Sequence, residues 1–120
     1  MNTHFPTPST WLDLSGAKEF ACDDVQMREL MATFEVSLNQ EIANIKAGLA
    51  AKDPLIVEYS LHALKGFMSL FAVPALARSV IDLYQDSRNQ SLMATKSTFE
   101  TILPNLEALL TEVRAWSSRL

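Results

Sequence analysis

From residue 24 onward the apolar positions recur with a helical period rather than the alternating period of a strand. Met27, Leu30, Met31, Phe34, Leu38, Ile42, Ile45 and Leu49 follow one another at steps of three and four, with Arg28, Glu29, Glu35, Glu41 and Lys46 on other faces. This predicts an amphipathic helix of about seven turns. Asp23 with Gln26 three residues later has the form of an N-cap and its reciprocal partner, so the helix is expected to begin there and to end near Ala51. Asp53 before Pro54 starts a second helix, from Pro54 to about Ala72. Val73 and Pro74 restart the chain into a third, which reaches about Ser87. After the polar run Arg88, Asn89, Gln90, Ser91, a fourth helix extends from about Leu92 to Arg119 on Phe99, Ile102, Leu103, Leu106, Leu109, Leu110, Val113 and Trp116. Pro104 lies inside it and predicts either a kink or a frayed first turn with the regular helix beginning at Pro104.

Helices joined by only a few residues must lie as antiparallel neighbours. The predicted fold is therefore all-α, an antiparallel up-down-up-down four-helix bundle. Ahead of it, Trp11, Leu12, Leu14, Ala17 and Phe20 predict a short extra N-terminal helix that caps one end, with Trp11 and Trp116 closing that end. Residues 1–10, polar and carrying Pro6 and Pro8, read as a flexible arm, which leaves residues 11–120 as one domain.

Composition narrows the function classes. Ten Lys and Arg against fourteen Asp and Glu give a net charge of −4, which argues against a sequence-independent grip on nucleic acid. Cys22 is the single cysteine, so neither an intramolecular disulfide nor a cysteine metal cluster can form, and a reducing, cytoplasmic setting is expected. No apolar stretch approaches the ~18 residues of a membrane span. With three glycines and no GxGxxG or Walker A pattern, the chain lacks a phosphate loop for ATP. His4 in the arm and Cys22 beside two acids carry no chemistry, and Met27, Met31 and Met68 read as core.

The second helix departs from simple packing. On a wheel of about 100° per residue, Val57, Leu64, Phe67, Met68 and Phe71 gather opposite His62. His62 is thus expected to project into solvent from mid-helix, ringed by Leu55, Glu58, Tyr59, Lys65, Gly66 and Ser69. A lone surface histidine is ordinarily just a surface residue. Gly66 changes the picture, because mid-helix it costs about 1 kcal/mol relative to alanine. One turn from His62, it opens the imidazole to something bulky.

His62, Ala63, Leu64, Lys65 and Gly66 together resemble the HxLKG signature of histidine-containing phosphotransfer (HPt) domains, the carriers of multi-step bacterial phosphorelays. The resemblance spans roughly residues 15 to 118, including Ser69, the break at Ala72, Val73 and Pro74, and the run from Gly48 to Asp53. It implies that His62 is the phosphoacceptor, attacking through Nε2, that Lys65 offsets phosphoryl charge, and that Gly66 gives steric clearance. A neutral imidazole nitrogen is a nucleophile that can attack phosphorus. The implied partners are the receiver domain of a hybrid sensor histidine kinase and that of a response regulator. The chain needs no cofactor of its own, with Mg²⁺ held by the partner receiver domain.

The family pattern is not met everywhere. A second glycine, common ten residues after the histidine, is Ala72 here, and Phe67 and Leu70 replace residues that are usually small or polar. Where family members often place Gln or Glu to orient the imidazole, this chain has Tyr84 and Gln85. Glu58, one turn before His62, is an alternative for that role beside its plainer reading as a solvated carboxylate. Leu55, Glu58, Tyr59, Ser69, Leu70, Arg78, Tyr84, Gln85 and Arg88 form the expected docking surface, with Arg78 and Arg88 as rim charges. An alternative function is a helical interaction module that uses Leu55, Tyr59 and Leu70 without phosphotransfer. A histidine-kinase dimerisation helix fits less well, since Ala63 and Gly66 stand where such helices carry an acid and a Thr or Asn. A single bundle with one solvent-facing histidine is expected to act as a monomer.

Overall fold

The computed structural model describes residues 10–118. Four helices follow in order, α1 (Asp24–Ala50), α2 (Pro54–Phe71), α3 (Pro74–Ser87) and α4 (Leu92–Ser117). Packing runs between α1 and α2, α2 and α3, α3 and α4, and α4 and α1, which closes an all-α, up-down-up-down bundle. Lys46 with Glu107 at 3.4 Å and Glu35 with Arg114 at 3.1 Å tie α1 to α4 in antiparallel register.

The starts of α1 and α2 obey the predicted chemistry, and the cap of α4 and the end of α1 add to it. Asp23 accepts the Gln26 amide at 2.8 Å, and Gln26 Oε1 accepts the Cys22 amide at 2.6 Å, so the return bond falls one residue before the cap. Asp53 accepts the amides of Leu55 and Ile56, and Ser91 Oγ accepts that of Ala94. Between α1 and α2 the Asp53 amide reaches back to the Gly48 carbonyl at 2.9 Å and the Lys52 amide to that of Leu49 at 3.2 Å. This is a Schellman termination with Lys52, at φ 55°, in the left-handed position where glycine is usual.

Pro104 corrects one of the two expectations attached to it. Helix α4 is continuous from Leu92 to Ser117, so the first turns are not frayed. The proline withholds the amide that would bond the Glu100 carbonyl, but Phe99, Ile102 and Leu106 on either side are buried and hold the helix against the bundle. The core is built from residues such as Met31, Phe34, Leu38, Leu61, Leu64, Met68, Val80, Phe99 and Leu109. At one end Phe34 stacks on Phe71 with centroids 3.9 Å apart, and Phe67 meets Phe34 edge-on at 5.4 Å.

The expected short N-terminal helix is present as a single 3-10 turn, Ala17–Glu19, and the residues ahead of it form an extended strap. Leu12 bridges to Ala72, the Asp13 amide donates to the Phe71 carbonyl at 2.7 Å, and the Val73 amide donates to that of Trp11 at 2.9 Å. Helix geometry explains why the strap is there. The 27 and 26 residues of α1 and α4 reach about 40 Å, whereas the 18 and 14 residues of α2 and α3 reach only about 27 and 21 Å. The strap covers the apolar overhang and buries Leu12 and Ala17, with Trp11 and Trp116 half-buried against the same core. Phe20, expected to cap, is instead 68% exposed. Residues 1–9 of the arm, with His4, and Arg119 at the expected end of α4 lie outside the described residues.

Candidate functional site

Helix α2 presents Val57, Ser60, Leu61, Leu64, Met68 and Phe71 to the core. His62 is thereby left on the exposed side, near the middle of the helix, as its apolar period requires. The three glycines divide into two kinds. A Cβ on Gly48 would lie 2.9 Å from methyl carbons of Ile56 and Val57, and one on Gly16 would lie 3.1 Å from the Ser69 carbonyl oxygen. Gly16 lets two backbones approach closely, and Gly48 lets the side chains of Ile56 and Val57 close on α1. A Cβ on Gly66 would meet nothing within 4 Å, so the packing of this chain does not call for glycine there.

Helix α3 brings the other half of the site. Tyr84, half-buried, sets its ring 5.2 Å from the His62 imidazole at an interplanar angle of 56°. Lys65 Nζ lies 5.3 Å and Arg88 Cζ 5.9 Å from the centre of the same ring, within cation–π range. Arg88 Nε also meets Glu58 Oε1 at 3.6 Å. That pair is partly exposed, and such contacts are worth about 0–1 kcal/mol, so it orients Arg88 more than it stabilises the fold. One aromatic ring thus gathers an imidazole and two cations, with a single carboxylate beside them.

Leu55, Glu58, Tyr59, His62 and Tyr84 line an open groove of about 400 Å³. Leu55 and Tyr59 are 75% and 76% exposed, so its rim is apolar as well as polar. Other expected docking residues lie elsewhere. Leu70, 11 residues beyond Tyr59 and so about 16 Å along α2, is half-buried with its backbone against the strap at Gly16, and Ser69 is exposed beside it. This corrects the grouping of Leu70 with Leu55 and Tyr59. Arg78 pairs along its own helix with Asp82 at 3.6 Å. Gln85 is exposed, and it is its neighbour Tyr84 that touches His62.

The ring contact and the pair between Glu58 and Arg88 were not readable from single-helix patterns, because both depend on how α2 and α3 are set against each other. Among the described residues no three His, Cys, Asp or Glu side chains form a metal-binding group, and no helix is long and apolar enough to cross a membrane. Comparison with models of known families, with curated proteins and with solved structures finds no match to this chain.

Proposed function

We propose that the chain is a phosphorelay carrier of the HPt kind, in which His62 accepts a phosphoryl group from a receiver-domain aspartyl phosphate and passes it to the receiver domain of a response regulator. The observation that carries the reading is the pairing of an exposed mid-helix histidine with a glycine one turn away that the fold itself does not need. Its resemblance to the HxLKG signature supplies the chemistry. In the step, a bond forms between His62 Nε2 and phosphorus as the bond from phosphorus to the aspartyl oxygen breaks. The donor leaves as a free carboxylate, and the proton on Nδ1 passes to solvent.

Lys65 offsets charge on the phosphoryl group in transit, and the bare Cα of Gly66 lets the donor site approach. The Mg²⁺ for the transfer belongs to the receiver's acidic cluster, the carrier itself makes no use of ATP, and it works as a cytoplasmic monomer between the receiver of a hybrid sensor histidine kinase and a response regulator. With neither an acid after His62 nor a Thr or Asn one turn on to place water, the phosphorylated form is long-lived until a receiver meets it. The test is a receiver domain phosphorylated by its kinase and mixed with the parent or with His62→Gln. Label is expected on the parent alone, and equal label on both overturns the assignment.

A second reading draws on the exposed apolar rim of Leu55 and Tyr59, namely a helical interaction module that binds a receiver or a partner helix without group transfer. Binding and full biological output that survive His62→Ala would favour it.

A further inference from the structure

We infer that Tyr84 is the positioning residue for the His62 imidazole, and that it acts through its ring face rather than through a hydrogen bond. The inference deepens, and rests on, the reading of His62 as phosphoacceptor. Centroids 5.2 Å apart and planes at 56° place the two rings in the range where aromatic pairs attract. A hydrogen-bonding partner on an imidazole nitrogen fixes which nitrogen carries the proton. A ring face restrains rotation of the imidazole without occupying either nitrogen.

Tyr84 is itself well fixed. It is half-buried against the core next to the buried Leu83, on a helix whose last turn is tied by Ser87 Oγ donating to the Tyr84 carbonyl at 2.7 Å. The same ring holds Lys65 and Arg88 through its π-face, while Glu58 restrains Arg88. Lys65 and Arg88 against Glu58 leave one net positive charge around His62 in a chain whose total is −4. An incoming phosphoryl group therefore meets an oriented nucleophile and a local positive field organised by one side chain.

The experiment uses the full chain, with Tyr84→Phe, Tyr84→Leu and His62→Gln beside the parent. In the unphosphorylated proteins, the proton shifts of the His62 ring report the ring current of residue 84. Phosphorylation is then followed with phosphoramidate, whose bond from phosphorus to nitrogen breaks with release of ammonia as the bond to the imidazole forms. Tyr84→Phe is expected to keep the displaced His62 shifts and to react within about twofold of the parent. Tyr84→Leu is expected to lose them and to react about tenfold more slowly, as misorientation of a reacting group predicts.

If Tyr84→Phe is as slow as Tyr84→Leu, the hydroxyl and not the ring face does the positioning, and the inference fails. It fails equally if Tyr84→Leu leaves both shifts and rate unchanged. Should Tyr84→Leu not fold, the Phe variant still decides between ring face and hydroxyl. Equal phosphorylation of His62→Gln and the parent would remove the acceptor, and this inference with it, whereas the ring-shift comparison bears on Tyr84 alone.

Discussion

Glu112 Oε1 accepts the backbone amide of Leu12 at 2.9 Å, and that of Trp11 at the same distance, from a strap a hundred residues earlier in the chain. Both amides are partly buried, and a carboxylate that satisfies two such donors is a stronger anchor than a neutral group. Glu112→Ala leaves them without that acceptor and is expected to destabilise the fold by about 1–3 kcal/mol. Glu112→Gln, which keeps an oxygen there, should lose less. Hydrogen exchange at Leu12 and Val73 should speed up in Glu112→Ala while the amides around Leu38 stay protected. Unchanged exchange at Leu12 would show that the strap is held by other means.

Alanine should act with opposite sign at two glycines. Gly48→Ala forces a methyl to 2.9 Å from Ile56 and Val57, where the end of α1 meets the first turn of α2, and overpacking of this kind costs about 1–3 kcal/mol. Gly66→Ala meets open space and should stabilise the helix by about 1 kcal/mol. Urea denaturation of the two variants checks the signs. Under the phosphorelay reading, Gly66→Ala should also transfer more slowly with a receiver-domain donor, which makes it a variant that gains stability as it loses activity.

Lys52 sits at φ 55°, where an L-residue is disfavoured by roughly 1–2 kcal/mol. Lys52→Gly relieves this at the expense of greater freedom in the unfolded chain, for a net gain of about 0.5–1 kcal/mol. A rise in the midpoint of thermal unfolding is the expected result, and a fall would show that the lysine side chain contributes something its backbone conformation does not reveal.

Asp13 supplies a pH-dependent element in the strap. Its carboxyl is held below the ordinary carboxylate value, first by the Ser15 side-chain hydroxyl and then by the Ser15 amide, which donates at 2.9 Å, with Lys18 adding a smaller attraction. A group whose folded value is depressed contributes stability that is present above its unfolded value, 3.8, and is lost as pH falls through the folded one. Ser15→Ala should move the Asp13 titration back toward 3.8, as read from its carboxyl carbon shift by NMR.

The elements were largely legible in the sequence because each begins with a signal local to itself. Asp23, Asp53 and Pro74 mark helix starts whatever the rest of the chain does, and the apolar period assigns each helix its inner face. The strap was not legible in that way. Its hydrogen bonds go to Phe71, Val73 and Glu112, and no pattern in residues 11–20 announces partners so distant. The continuity of α4 through Pro104 depends likewise on neighbours that bury the flanking residues. At the candidate site the division is similar. The exposure of His62 and the oddity of Gly66 follow from one helix read alone, whereas the meeting of Tyr84, Lys65, Arg88 and Glu58 follows from the register between two helices.

The position of the strap has a practical consequence for handling the molecule. Trp11 lies beside Glu112, so the described chain enters the bundle at the end where α4 leaves it. The groove at Leu55, Tyr59 and His62 opens on the first half of α2, whereas the strap crosses its last residue. A reporter attached at an exposed residue of the strap such as Glu19 would sit at the far end of α2 from that groove, so labelled forms can serve in the transfer and binding experiments with the groove left open.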